Sequence, residues 1–402
     1  MKTISIKKSL NKITKQLSIW VGVFLVLLLV ISCDKPTGSN GITGNPGNDD
    51  SSAVDPLPYA ETVKLSYKNS IQKTVTADAL YDELSKIEGP IDFIVTGNLT
   101  DEEFEKVVKL ADSYRGGKQW WAPYLGLDLT QTTGITSIPD CIYFAKSLGL
   151  PYSIQTLDDY DLGTNTYIYW PSDFNEKNQN FIDEDGVLYS KDKTKLIYYS
   201  PLKTDTSFDI PETVKQLYSG TFNQNKKLKN ITINGDFSYK EREALFPNNL
   251  NVKINKSNTL VLEDDVLFTK DKKTLIHYPN SKQNTTYTVP SGVTIIGPSA
   301  FSNNTYITEV KLPSSLLEIS SYSFAYCTNL KTLTIPANVN SFASYAVIST
   351  GLESLKFEDP NNWYFFSWQL LTKEDLENPE NFISWTGKFF WSYIQKLSPE
   401  SQ

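Results

Sequence analysis

The chain has 402 residues, 40% of them hydrophobic and 13% aromatic, and a formal charge of −8. That supplies a sizeable core and room for two or three domains, which excludes a disordered chain, and the negative charge disfavours nucleic acid and anionic membrane surfaces as partners. A single histidine, His277, leaves histidine-based mechanisms with one candidate.

Residues 1–32 read as an export signal. Lys2, Lys7, Lys8, Lys12 and Lys15 form a basic head, and 19–31 is a mostly apolar run, short of the roughly 20 residues a membrane-spanning helix needs. The run ends in Leu29-Val30-Ile31-Ser32-Cys33, which resembles the lipobox of bacterial lipoproteins. The resemblance implies diacylglycerol on the Cys33 thiol, cleavage before Cys33, and a lipid anchor in the cell envelope, with the outward-facing outer membrane as the expected location. Loss of the five lysines takes the formal charge from −8 to −13, so attachment would come from lipid. Two or three acyl chains on one cysteine hold firmly where one does not. Residues 33–58, with Pro36, Gly38, Gly41, Gly44, Pro46 and Gly47, have nothing to pack and read as a flexible linker.

Residues 59–134 read as a small α/β cap. A helix is expected over 76–87 from the shared face of Ala79, Leu80, Leu84 and Ile87, then a strand over 91–95. Thr100 followed by Asp101, Glu102 and Glu103 has the pattern of a capping box, and Phe104, Val107, Val108 and Leu110 give the next helix its buried side. The segment 124–129 alternates as a strand. Strand, helix, strand at this spacing predicts a right-handed crossover that covers one end of the C-terminal part of the chain.

That C-terminal part repeats. Pro290, Pro313 and Pro336 are spaced by 23, as are Phe301, Phe324 and Val347, and Ile296, Ile319 and Phe342. Ile307 pairs with Leu330, Val310 with Leu333 and Leu312 with Ile335, giving each turn a short strand with fixed inward positions. A longer period of 79 carries Val187 to Val266, Tyr199 to Tyr278, Pro211 to Pro290, Phe222 to Phe301, Ile231 to Val310 and Ile233 to Leu312 without a gap. Each long unit is expected to hold a hairpin, the first turning at 190–194, and at least one turn of a solenoid.

The segments Ile335-Pro336-Ala337-Asn338-Val339, Val293-Thr294-Ile295-Ile296-Gly297 and Phe324-Ala325-Tyr326-Cys327-Thr328-Asn329-Leu330 resemble the BspA-type leucine-rich repeat. Cys327 stands at the family's cysteine position, where Asn304 and Asn225 replace it in other turns. The resemblance covers roughly 135–357. It implies an α/β repeat fold: a strand-rich leucine-rich-repeat solenoid with hairpin insertions over 135–361, the small α/β N-terminal cap, and an aromatic C-terminal cap over 362–402. It further implies a surface protein of host-associated bacteria, an adhesin or protein-binding scaffold whose partner is a host matrix or cell-surface protein or another bacterial cell. The alternative is an envelope module that binds glycan or nutrient without catalysis.

Residues alternating with the inward ones would face outward along the stacked strands: Asn230 and Thr232, Glu309 and Lys311, Thr332 and Thr334, Ser354 and Lys356. This polar ladder is the candidate ligand-binding surface, and the pattern alone leaves open whether it is only a solvated face. The tail holds Trp363, Tyr364, Phe365, Phe366, Trp368, Phe382, Trp385, Phe389, Phe390, Trp391 and Tyr393. It reads as a seal over the last turn before it reads as a platform for sugar rings, because a solenoid's terminal apolar face must be covered. Trp120-Trp121 has the same status at the other end.

Asp183-Glu184-Asp185-Gly186 and Asp158-Asp159-Tyr160-Asp161 lack the alternating ligands and distal Glu of a calcium loop and read as turns. Cys141 and Cys327 read as buried small residues, and His277, aligned with Tyr198, as a structural one. No phosphate loop, GxSxG, HExxH or CxxC occurs. The expectation is a monomer with no enzyme activity, cofactor or metal.

Overall fold

The computed structural model describes residues 71–86, 91–113, 125–138, 145–157, 167–218, 220–237, 244–365, 369–384 and 393–396. The export signal, Cys33, the linker, Trp120, Trp121, Cys141, the acidic run at 158–161 and six tail aromatics (Phe366, Trp368, Trp385, Phe389, Phe390, Trp391) lie outside the described residues.

The chain enters through a five-stranded parallel sheet in which Gln72–Thr76, Asp92–Asn98, Leu125–Thr133, Ala145–Gly149 and Tyr167–Tyr169 lie side by side in sequence order. Its first two crossovers pass through the helices Leu80–Leu84 and Asp101–Ser113. The second helix starts as its sequence dictates: Thr100 Oγ1 accepts from the Glu103 amide, and the Thr100 amide donates to the Glu103 carboxylate at 2.9 Å. Phe104, Val107 and Val108 are buried against the sheet. Thr100→Ala leaves an orphan amide in the first turn and should lower stability by about 1 kcal/mol, read as a shift in the urea midpoint at constant slope.

The expected helix over 76–87 is shorter, a 3-10 turn Ala77–Ala79 leading into Leu80–Leu84. The strand Gln72–Thr76 was not expected, because as an edge it buries only Val75 and shows no alternation of apolar residues. The sheet also runs past the boundary expected at 134/135, since Leu125–Thr133 pairs with Ala145–Gly149. Beyond that point short strands replace the helices as the second layer, Ser137–Ile138 pairing with Thr156–Leu157.

Leu125, Leu127 and Leu129 point into the core, while Gly126 and Asp128 lie on the other face with Asp92, Ser147 and Tyr169. Gly126 is required there by close approach: a Cβ would sit 2.1 Å from the Asp92 carboxylate oxygen and 2.9 Å from Ser147 Oγ.

From about residue 181 the 79-residue period is a period of structure. Phe181–Glu184, Val187–Ser190, Lys195–Tyr199, Ser207–Ile210, Gln216–Leu217 and Asn230–Ile233 are matched, first residue to first residue, by Leu260–Glu263, Val266–Thr269, Thr274–His277, Thr286–Thr288, Ile295–Ile296 and Glu309–Lys311. Each insertion is a three-stranded antiparallel meander where a hairpin was expected. The added strand is joined by a tight turn with left-handed backbone at Asp185 and Gly186, where Asp183 Oδ1 accepts from the Gly186 amide at 2.9 Å. The first acidic run is therefore the turn its sequence suggested.

The meanders divide the interior. In the first, Leu188, Ile197 and Tyr198 face the N-terminal core, while Val187, Tyr189, Leu196 and Tyr199 face the next. In the second, Leu267 and Ile276 face that middle core, while Val266, Phe268, Leu275 and Tyr278 face the last one. Period-two alternation in strands apolar on both faces produces this, with a bulge between Leu196 and Tyr198 turning the neighbours Ile197 and Tyr198 to the same side. Each meander is a partition, so three large cores follow one another among the described residues, with a small fourth cluster of Ala325, Tyr345 and Ile348 on the stacked turns.

Every later turn has three sides. A front wall carries Thr286–Thr288, Glu309–Lys311, Thr332–Ile335 and Ser354–Phe357 in parallel register. A side wall is made of two-residue strands such as Ile295–Ile296, Glu318–Ile319 and Ser341–Phe342. The third side is stacked turns, with Phe301, Asn303, Phe324 and Tyr326 amides donating to carbonyls one turn on. Ser299, Asn303, Tyr322, Tyr326, Tyr345 and Ser349 all take left-handed backbone there.

The cysteine position of the repeat is explained in this setting. Cys327 is buried and its thiol donates to the Phe301 carbonyl, and burial pushes its pKa up to about 12. Asn225 and Asn304 occupy the same place, each Oδ1 accepting from two backbone amides of the following strand approach. Asn178 repeats the arrangement earlier in the chain. The position calls for a small buried group that satisfies the turn's backbone, and thiol and amide both serve.

The front wall ends with a shorter step, Thr332 pairing with Ser354 where a 23-residue repeat would reach 355. Gly351 accommodates it, because a Cβ there would lie 2.1 Å from the Thr328 carbonyl oxygen. Beyond it Trp363 packs edge-on to Phe357, its ring centroid 5.1 Å away, and Phe382 packs against Phe342 at 5.8 Å. Ile394–Lys396 pairs antiparallel with Ser341–Phe342. An antiparallel strand set against the parallel stack closes it to a further turn, and Lys396 secures it with an ion pair to Asp359 and a hydrogen bond to the Ala337 carbonyl.

Candidate ligand-binding wall

Side chains at alternate positions of the front wall point outward because their neighbours Val310, Leu333, Ile335, Leu355 and Phe357 are drawn into the core. Two outward columns result. Register places Thr286, Glu309, Thr332 and Ser354 in one, and the next holds Thr288, Lys311, Thr334 and Lys356. Adjacent strands are about 4.8 Å apart.

The structure brings six of the eight expected residues together: Glu309, Lys311, Thr332, Thr334, Ser354 and Lys356 share one four-stranded sheet. Asn230 and Thr232 belong to a separate three-stranded sheet with Ser207–Ile210 and Asn251–Ile254, because the second meander interrupts the wall between them. The ladder is two ladders.

They also differ in chemistry. Asn230 is committed to the fold: its Nδ2 donates to the Thr206 carbonyl and its Oδ1 accepts from Asn251 Nδ2. None of the six residues of the four-stranded sheet makes a side-chain hydrogen bond or ion pair to another described residue. The nearest ion pair, Lys331 to Glu353 at 2.8 Å, lies beside the columns and is exposed, so it contributes little to stability.

A shallow groove of about 220 Å³ crosses this wall, lined by Glu309, Lys311, Thr332, Thr334, Pro336 and Glu358 among others. Sequence reasoning missed Thr286, Thr288 and Glu358. The two threonines stand 23 residues before Glu309 and Lys311, so the period could have found them, whereas Glu358 lies past its strand at a position the repeat does not specify.

The other candidates are accounted for by the fold. His277 is buried in the second partition, its Nε2 2.9 Å from the Leu250 carbonyl oxygen and its ring edge-on to Phe246. Burial lowers its pKa to about 4. Among tail aromatics, Trp363, Phe365 and Phe382 are part of the last core, and Tyr393 is exposed. Among the described residues no group of three acidic, histidine or cysteine side chains could hold a metal ion, and no helix is long and apolar enough to cross a membrane.

Residues 198–274 and 276–372 match the model of the BspA type leucine rich repeat region, in six copies. The match begins later than the resemblance read from the sequence, leaving residues 135–197 outside it. No curated protein matches. Among solved structures, a leucine-rich repeat protein from Eubacterium ventriosum is 22% identical, over 70% of this chain and 77% of that one, with a TM-score of 0.35. A leucine rich cell surface protein from Faecalibacterium prausnitzii is 13% identical, over 71% of this chain and 83% of that one, with a TM-score of 0.32. The pneumococcal vaccine antigen PcpA is 21% identical, over 73% of this chain and 52% of that one, with a TM-score of 0.25. At such identities and scores these likenesses say nothing of a ligand. Leucine-rich-repeat families are in general non-catalytic, and the architecture fits a protein-binding scaffold. The stretch from 198 to 372, interrupted only at residue 275, is a BspA-type leucine-rich-repeat region, and the chain is a leucine-rich-repeat protein built around it.

Proposed function

We propose that this chain is a lipid-anchored recognition scaffold of the bacterial cell surface, an adhesin that works as a monomer without catalysis. Its front wall engages a host matrix or cell-surface protein, or another bacterial cell. The observation that carries the reading is the set of six exposed or half-exposed polar side chains, Glu309, Lys311, Thr332, Thr334, Ser354 and Lys356, held in register on a rigid sheet with no hydrogen bond or ion pair to the rest of the described protein. The sheet fixes the spacing of these groups, and the water that solvates them can be exchanged for the hydrogen bonds of a partner.

Export and anchoring rest on the basic head, the apolar run and Cys33. Cys33→Ser should remove metabolically incorporated palmitate and move the protein out of the membrane pellet; a variant that stays lipidated overturns the anchor. Protease shaving of intact cells should release the wild-type repeats, and protection would place them facing inward.

For the wall, the triple variant Glu309→Gln, Lys311→Gln, Thr332→Val keeps strand-compatible residues at every position. It should lose at least tenfold in adhesion to matrix-coated surfaces while its unfolding midpoint stays that of the wild type. Undiminished adhesion would sink the wall as the binding face.

A further inference from the structure

The wall's composition specifies what kind of partner fits it, and this step rests on the proposed recognition role. Its outward residues are Thr286, Thr288, Glu309, Lys311, Thr332, Thr334, Ser354 and Lys356. None of these eight is aromatic or aliphatic, and none is Met or Arg, while the groove between them adds Leu312 and Pro336 as apolar lining. The centres of protein–protein interfaces are enriched in Tyr, Trp, Phe, Met and Arg and depleted in Lys, Glu and Ser, and the residues that dominate such binding are mostly Trp, Tyr and Arg. The outward columns have the opposite composition, and they equally lack the aromatic rings on which sugars stack, so a ligand on them is held chiefly by hydrogen bonds. The wall offers hydroxyls that donate and accept, carboxylates that only accept and ammonium groups that only donate.

The charges narrow the choice. Lys311 and Lys356 are balanced by Glu309 and by Glu358 at the groove's edge, so the wall is locally neutral on a chain that is negative overall. A polyanion gains nothing from approaching it. The groove, about 220 Å³, is below the roughly 300–1,000 Å³ of sites that enclose a whole small ligand. It is suited to one ring of a polymer lying across the strands, with the neighbouring rings on the flat columns to either side.

We infer that the front wall binds an uncharged hexose polysaccharide, the glycan carried by the adhesion partner, with Glu309 and Glu358 accepting from vicinal hydroxyls and Lys311, Thr332 and Thr334 donating. Contacts repeat every strand along the solenoid axis, so affinity comes from several weak sites engaged together.

The test is calorimetric titration of the full chain with dextran, mannan and an unsubstituted galactan, alongside hyaluronan and a matrix protein preparation before and after enzymatic removal of its glycans. At least one neutral polysaccharide should bind, with an affinity that changes less than twofold between 50 and 500 mM salt (about the conditions that separate screened from unscreened charge). Thr334→Val and Glu309→Gln should each weaken it at least tenfold, with unchanged unfolding midpoints. Binding of hyaluronan alone, falling steeply with salt, overturns the inference. A glycan-stripped protein that binds as well as the untreated one, and loses binding to the wall variants, overturns the glycan while leaving the wall as the recognition face. Binding that survives all wall variants overturns both.

Discussion

Phe301→Ala is expected to lower stability by about 3–5 kcal/mol, the range for truncating a buried phenylalanine. The side chain is fully buried, stacked 4.9 Å from Tyr278 on one side and 5.1 Å from Phe324 on the other. It belongs to a column of rings that runs through the last core from the second partition. Its amide also donates to Ser323 across the stacked turns, so the backbone cannot readily collapse into the void. Against a total domain stability of about 5–15 kcal/mol, this is a large fraction. Urea unfolding followed by tryptophan fluorescence reads it directly; a loss under 1 kcal/mol would contradict the ring column as a main support. Phe222, the residue 79 positions earlier, sits among Tyr199, Phe208 and Phe246 and should behave alike.

The second large effect is a loss of stability on mild acidification, through His277. Its pKa is lowered to about 4 by burial, against about 6.5 in an unfolded chain. Below pH 6.5 the unfolded chain therefore takes up a proton that the folded one refuses. Stability from this group is complete above pH 6.5, falls as the pH drops from 6.5 to 4, and is level below. Each tenfold difference in proton affinity between the folded and unfolded chain is worth about 1.4 kcal/mol, so the loss reaches about 3 kcal/mol. Asp183 works in the opposite sense, since burial raises its pKa. The quantity to measure is therefore the difference between wild type and His277→Tyr, which copies Tyr198 of the first partition. Carboxylates held below their ordinary values, such as Glu83 and Asp101, cost both proteins stability on acidification, so the variant should lose about 3 kcal/mol less than the wild type between pH 6.5 and 4. Because the chain has one histidine, a single imidazole resonance reports the titration. A midpoint near 4 is expected, and one near 6.5 would contradict a buried partition.

Much of the fold was legible because repetition exposes it. The spacing of Pro290, Pro313 and Pro336 and the carry of Val187 to Val266 located the solenoid turns and the long unit. The capping box at Thr100 marked its helix to the residue. Sequence reasoning did not reach the third strand of each meander, Phe181–Glu184 and Leu260–Glu263. Their buried and half-buried residues follow no simple alternation, because each strand lies at the margin of two cores. Nor did it see that a meander is a wall between cores, which depends on where alternate side chains such as Leu188 and Tyr189 end up.

The site was half legible. Alternation told which residues of each strand face outward, and so found Glu309, Lys311, Thr332 and Thr334. It could not tell that Asn230 spends its hydrogen bonds within the fold, nor that the wall breaks between residues 254 and 286. Both are consequences of neighbours brought together only in three dimensions.

The central claim, that this scaffold recognises its partner through the front wall, is tested most directly by hydrogen exchange of the full chain with and without a soluble matrix preparation. Recognition at the wall predicts slowed exchange in 309–311, 332–335 and 354–357, with the stacked turns over 299–304 and 322–327 unchanged. Protection confined to those turns, or to the meanders, would contradict it.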